Sequence, residues 1–201
     1  GIGDFRDGIR SAGVTVPTTR KVLATLHAIM EYAISQDWMA VNAAHGVRVI
    51  APHDEGSKKI KSPSKADLKA LLNAADGDLR FMVLFAASTG LRAGEQWAVR
   101  WRDIDTATDM LNVVRRVDAY GEEGPPKSAA GVRGVPLSSF LLRSLTEWRL
   151  QSKFSSDGDL VFPNKKGRYM GHDNLVKRRF KPALVAAEVI DINWHSLRHY
   201  A

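Results

Sequence analysis

Residues 79–87 form an apolar stretch broken only by Arg80, and no other run in the chain is as demanding of burial. Such a stretch predicts a core helix with the other elements wrapped around it. Asp76-Gly77-Asp78 precedes it and Thr89-Gly90-Leu91-Arg92-Ala93-Gly94-Glu95 follows it. Gly90 permits a turn with φ > 0, and Gly94 leaves space beside the chain. Glu95 lies three residues after Arg92, so the two share a face if a helix starts here. A permanently charged guanidinium is thus set at the end of a core element, where it suits an anion. A surface Arg-Glu pair at a helix junction fits these residues equally well.

The flanking sequence supplies the wrapping. Ser64-Lys65-Ala66-Asp67 is a capping-box pattern that starts a helix carrying Leu68, Leu71, Leu72 and Ala75. Residues 93–100 are expected to be helical. Residues 110–117 are β-prone, residues 120–126 are a turn, and residues 127–131 and 132–137 complete one small antiparallel sheet. Ser138 can cap a helix with Leu141, Leu142, Leu145 and Trp148 on its apolar face. Residues 174–187 read as a basic helix that Pro182 kinks or divides. At the other end, Thr18 or Thr19 can cap a helix from about Arg20 whose apolar face includes Val22, Leu23, Leu26, Ile29 and Ile34. That helix needs partners, and the chain before it is too short to supply many. The expected fold is mainly α with a small antiparallel β-sheet, an α+β class. Residues 1–50 are expected to be the end of a helical domain, residues 51–63 a basic linker, and residues 64–201 the main domain.

With no cysteine among 201 residues, disulfides and thiolate metal sites are excluded. No apolar run approaches the roughly 20 residues that a membrane span needs. The charge is more telling. Lys and Arg number 29 against 22 Asp and Glu, a net +7, and basic proteins favour polyanions, nucleic acid first. The cations gather at Lys58-Lys59-Ile60-Lys61, Arg115-Arg116, Lys165-Lys166-Gly167-Arg168 and Lys177-Arg178-Arg179. Each cluster alone is an ordinary solvated face; four together point to DNA or RNA.

Three further positions hold cations suited to a phosphate. His195 and Arg198 share a face if helical. Lys127 follows Pro125-Pro126 at an expected hairpin, where a loop could carry an ammonium to a reactive site. In order, Thr89-Gly90-Leu91-Arg92-Ala93-Gly94-Glu95, Trp101-Arg102-Asp103-Ile104-Asp105, Lys127-Ser128 before Arg133-Gly134-Val135-Pro136-Leu137, and His195-Ser196-Leu197-Arg198-His199 resemble the tyrosine recombinases, the phage-integrase family. The resemblance spans about residues 63–201. The helix before Trp38 and Asn42-Ala43-Ala44 resembles the end of the family's core-binding domain.

The resemblance implies roles. Arg92 and Arg198 would grip the scissile phosphate, and His195 would serve acid–base chemistry beside it. Lys127 would protonate the leaving 5′-oxygen, and Glu95 would brace the site. Lys58, Lys59, Lys61, Lys177, Arg178 and Arg179 are expected to contact DNA. Strand breakage and rejoining through a 3′-phosphotyrosine would need neither metal nor cofactor. The nucleophilic tyrosine is expected beyond Ala201, because Tyr200 stands where the family usually has a non-catalytic residue. The implied partners are double-stranded DNA, three further copies in a homotetramer on two DNA sites, and DNA-bending accessory proteins, with no membrane. The implied location is the cytoplasm of a bacterial host, on the nucleoid when DNA is bound. Two other functions stay open at this point: a non-catalytic DNA-binding protein on the same scaffold, and a type IB topoisomerase.

Overall fold

The structure is a computed structural model; it describes residues 1–50 and 61–201. The chain divides into two compact units, Gly1–Lys59 and Ile60–Ala201.

The smaller unit holds α1 (Ile2–Ser11) and α2 (Val16–Ser35). Helix α2 starts at Val16 rather than near Arg20. Pro17 in its first turn explains the difference: that turn has no use for the missing N–H, and the ring presets φ. Asn42 then clips the following loop to α2. Its amide donates to the His27 carbonyl (3.2 Å) and the Glu31 carboxylate (2.6 Å), and its oxygen accepts the Ala44 N–H (2.9 Å). Ile29, Tyr32, Trp38 and Val41 stay exposed within this unit.

In the larger unit, α3 (Lys65–Ala74) begins with the expected capping box. The Ser64 hydroxyl accepts the Asp67 N–H at 3.1 Å, and the Asp67 carboxylate accepts the Ser64 N–H at 2.9 Å. Helix α4 (Gly77–Thr89) is the expected core helix, burying Leu79, Met82, Val83, Phe85, Ala86 and Ala87. Gly90 ends it in the left-handed region at φ 63°. Helix α5 (Ala93–Trp97) is shorter than the sequence suggests. Past Ala98 the chain extends, because Arg100 bridges to Leu160 and the Val99 carbonyl accepts the Val161 N–H at 2.9 Å. A long-range pairing thus displaces the last turn of the helix.

The β region forms two sheets rather than one. Strands β1 (Ile104–Asp105), β2 (Met110–Val113) and β5 (Arg133–Pro136) make an antiparallel sheet in the order β1-β2-β5. Strands β3 (Arg116–Val117) and β4 (Glu123–Gly124) make a separate hairpin. Residues 127–131, expected to be a strand, are instead a bend and a 3₁₀ turn at Ala129–Gly131. Ser138 caps α6 (Ser139–Gln151) as expected, accepting the Leu141 N–H at 3.2 Å.

The basic helix runs as α7 (His172–Leu175), a π-helical turn (Val176–Phe180) and α8 (Lys181–Ala186). The widened turn comes just before Pro182 and accommodates a ring that would clash in a regular helix. The short α9 (Trp194–Leu197) follows, capped by Asn193. At the centre, Phe162 packs on Phe85 (5.0 Å between centroids) and Trp97 (6.2 Å), and Trp97 packs on Trp194 (5.2 Å). Helices α4 and α5 and the start of α9 are therefore pinned to one aromatic cluster, which fixes the residues at their ends.

Candidate active site

Those ends meet. Arg92 is the N-cap of α5, and Glu95, 2% exposed, sits in its first turn. The Glu95 carboxylate accepts the Arg92 backbone N–H (3.1 Å) and the Arg92 guanidinium (2.9 Å). Arg198, C-cap of α9, donates to the Gly90 carbonyl at 2.8 Å, and its Nη1 lies 3.9 Å from Glu95. His195 is one turn back on α9, with its ring edge-on to His199 at 5.1 Å. The Gly90 turn, an Arg-Glu cap and a short capped helix thus bring Arg92, Glu95, His195 and Arg198 together from positions about a hundred residues apart.

A third guanidinium was not singled out from sequence. Arg133 Nη2 donates to Glu95 at 2.9 Å, and its Nη1 donates to the Gly131 carbonyl at 2.9 Å. The strand register explains its direction. Arg133 pairs with Val113 and Val135 with Leu111, and paired residues project to the same face. Leu111 and Val113 are core residues, so Arg133 points inward on the same side. The alternation of Arg133, Val135 and Leu137 was the signal for this.

The charges follow from this geometry. Burial alone pushes the Glu95 carboxyl up, but the hydrogen bonds from Arg133 and Arg92 outweigh it and hold the group below the usual carboxylate range. Partial burial, then electrostatic repulsion from the neighbouring His199, Arg198 and Arg92, lowers His195 below the ordinary histidine value. The imidazole is therefore neutral at pH 7 and offers one donor and one acceptor. One carboxylate faces three arginines, so the cluster carries two uncompensated positive charges. Arg92 remains 44% exposed and Arg198 28% exposed, open to an anion from solvent.

The other expected residues are placed as follows. Lys127 is exposed, three residues past β4, and has no hydrogen bond or ion pair among the described residues; it is not at a hairpin tip. Its segment leads through the Ala129–Gly131 turn into β5, and Arg133 grips the Gly131 carbonyl of that turn. Lys61, Lys177 and Arg178 are exposed. Arg179 is half-buried and bonded to Asp78, with Asp76 at 3.4 Å, so it ties the basic helix to the start of α4. Lys58 and Lys59 lie outside the described residues. Tyr200 packs against the core, and Tyr169 donates to Glu123. A cavity of about 440 Å³ lined by Gly94, Trp97, Val117 and His172 contains none of the cluster's cations. Among the described residues no His, Cys, Asp or Glu group could hold a metal, and no helix is long and apolar enough to cross a membrane.

The family model for the phage integrase family matches residues 61–201, the whole span that carries this cluster. The chain belongs to the phage integrase family. It is 30% identical over 135 residues to the prophage integrase IntR of Escherichia coli K12, covering 67% of this chain and 32% of that protein. It is 27% identical over 214 residues to a XerC-like tyrosine recombinase of Caldanaerobacter subterraneus subsp. tengcongensis, covering 93% and 54%. The chain therefore spans about a third to a half of these relatives' length. Among solved structures, the Tn1549 transposon integrase in complex with a circular intermediate DNA superposes with a TM-score of 0.78 at 17% identity, covering 98% of this chain and 69% of that one. A lambda integrase tetramer bound to a Holliday junction superposes at 0.72 and 17% identity, covering 99% and 56%. These likenesses show the fold, mainly helical with small antiparallel sheets.

Proposed function

We propose that residues 61–201 are the phosphate-gripping part of a DNA-integrating recombinase, and that Arg92, His195, Arg198 and Lys127 are its catalytic residues with Glu95 in support. The observation that carries this reading is the pair of partly exposed guanidiniums, Arg92 and Arg198, held by one buried carboxylate beside a neutral histidine. Phosphoryl transfer spreads negative charge over the nonbridging oxygens, and fixed cations oppose it without reorganising. His195 completes the grip with a hydrogen bond. Lys127 supplies the proton that the leaving 5′-oxygen needs.

The two uncompensated charges also draw in duplex DNA, and Lys61, Lys177 and Arg178 extend the positive surface. Arg179 is better read as a brace, because its charge is already met by Asp78 and Asp76. Residues 1–50 are proposed to be part of a core-binding domain, and the acting form a tetramer on two DNA sites. The nucleophile is assigned to none of the four tyrosines: Tyr200 and Tyr169 are engaged, Tyr120 lies between β3 and β4, and Tyr32 belongs to the other unit.

The 201-residue chain should bind duplex DNA with an affinity that falls steeply with salt, the log–log slope being about −0.9 per phosphate neutralised. Arg92→Ala should weaken binding and lower that slope, and in an active recombinase that contains this chain it should abolish strand cleavage on a nicked suicide duplex. A salt-independent affinity, or full cleavage by Arg92→Ala, would overturn the assignment. A covalent adduct formed by the 201-residue chain itself would overturn the exclusion of its tyrosines.

A further inference from the structure

We propose that Arg133 is a positioning residue that clamps the Lys127 segment to the Glu95 carboxylate, so that one guanidinium fork sets both the arginine pair and the lysine. The inference rests on the functional reading above for its consequence, but its geometry stands apart from that reading. One arm of the fork, Nη2, meets Glu95 at 2.9 Å, and the other, Nη1, meets the Gly131 carbonyl at 2.9 Å. Gly131 closes the 3₁₀ turn that follows Lys127, its N–H bonded to the Ser128 carbonyl at 2.8 Å. It also sits so close to Pro126 that a Cβ there would lie 2.4 Å from the proline ring. Pro126 on one side and the Gly131 turn that Arg133 grips on the other thus bracket Lys127 along the chain, and Lys127 itself has no hydrogen bond or ion pair among the described residues.

Electrostatics gives the clamp a second effect. Glu95 can hold Arg92 in place only by drawing on its charge. Arg133 supplies a second cation to the same carboxylate, so the charges of Arg92 and Arg198 stay available to a phosphate. Without Arg133, the carboxylate would draw Arg198 in from 3.9 Å and away from the Gly90 carbonyl. A lysine at this position keeps the charge but is a single point donor, not a planar fork. The two effects of the clamp are therefore separable.

The experiment compares the wild-type 201-residue chain with Arg133→Gln and Arg133→Lys, each first shown to melt cooperatively. The titration of the Glu95 carboxyl is followed by carbon-13 NMR, and hydrogen exchange is followed at the Gly131 and Val132 amides. Arg133→Gln should raise the Glu95 midpoint and speed exchange in the turn by at least about tenfold, as expected when a charge-assisted anchor is lost. Arg133→Lys should keep the Glu95 midpoint low yet still speed the exchange. In an active recombinase that contains this chain, Arg133→Gln should slow strand cleavage by roughly a hundredfold and weaken DNA binding, whereas Arg133→Lys, which keeps the charge, should slow cleavage with DNA affinity nearly unchanged. Wild-type titration and exchange in Arg133→Gln, or wild-type exchange in Arg133→Lys, would overturn the clamp. Those NMR measurements contain no DNA. If they come out as expected while Arg92→Ala leaves cleavage intact, the functional reading fails and the clamp remains.

Discussion

Glu95→Gln isolates the one negative charge in the cluster. The carboxylate is 2% exposed and accepts three N–H groups, from the Arg92 backbone, the Arg92 guanidinium and Arg133. An amide of the same shape has one accepting oxygen, and its NH₂ end must face a donor. Three hydrogen bonds to a carboxylate then become one or two to an uncharged amide oxygen, and the ion pairing is lost. Full burial of all partners would make the loss larger, but Arg92 is 44% and Arg133 27% exposed, so water replaces part of it. We expect a net destabilisation of about 2–4 kcal/mol at pH 7. For a unit of this size that lowers the melting temperature by roughly 6–12 °C. The pH dependence makes the test specific. The folded state holds the Glu95 carboxyl below its ordinary value. Its contribution is therefore complete above the unfolded-state value of about 4.3 and is lost as pH falls through the lowered folded value. Urea melts of wild type and Glu95→Gln from pH 7 to pH 3.5 should show a constant gap down to about pH 5, narrowing below it. A gap under about 0.5 kcal/mol at pH 7, or one that does not narrow in acid, would show that the carboxylate's charge does not hold the arginines.

Two other substitutions read different parts of the molecule. A Cβ at residue 94 would lie 2.3 Å from the Val117 carbonyl oxygen, so Gly94→Ala should cost about 1–3 kcal/mol in a denaturant melt by forcing β3 from α5. If the proposed proton-donor role holds, Lys127→Ala in an active recombinase that contains this chain should slow cleavage of an ordinary duplex by about 10²–10⁴-fold, but should leave cleavage nearly intact when a bridging 5′-sulfur makes the leaving group a thiolate that needs no proton. Equal losses on both substrates would remove the proton-donor role from Lys127.

Local chemistry made several helix boundaries legible. Ser64, Ser138 and the left-handed Gly90 act on backbone groups three or four residues away, so neighbouring letters suffice to place them. The core helix α4 was equally plain, because its apolar residues leave no exposed face. Where the reading missed, a distant partner had intervened. Helix α5 stops at Trp97 because residues 99–100 pair with residues 160–161. The β-prone run splits because its second half pairs with Glu123–Gly124 rather than continuing beside Arg133. The ion pair of Arg179 with Asp78 likewise depends on α4, about a hundred residues away, and could not be read from its neighbours.

The sequence by itself determined which cations exist, the turn that presents Arg92, and the i,i+3 spacing that sets Glu95 below Arg92 and His195 beside Arg198. Only the tertiary structure decided that Arg198 comes within 3.9 Å of the carboxylate that holds Arg92, and that Arg133 joins them there. The physical reason lies in range. A cap or a helical face is fixed by atoms within one turn of chain. The direction of Arg133 depends on a strand register with Val113 and on a carboxylate 38 residues away, which only the packed core brings into contact.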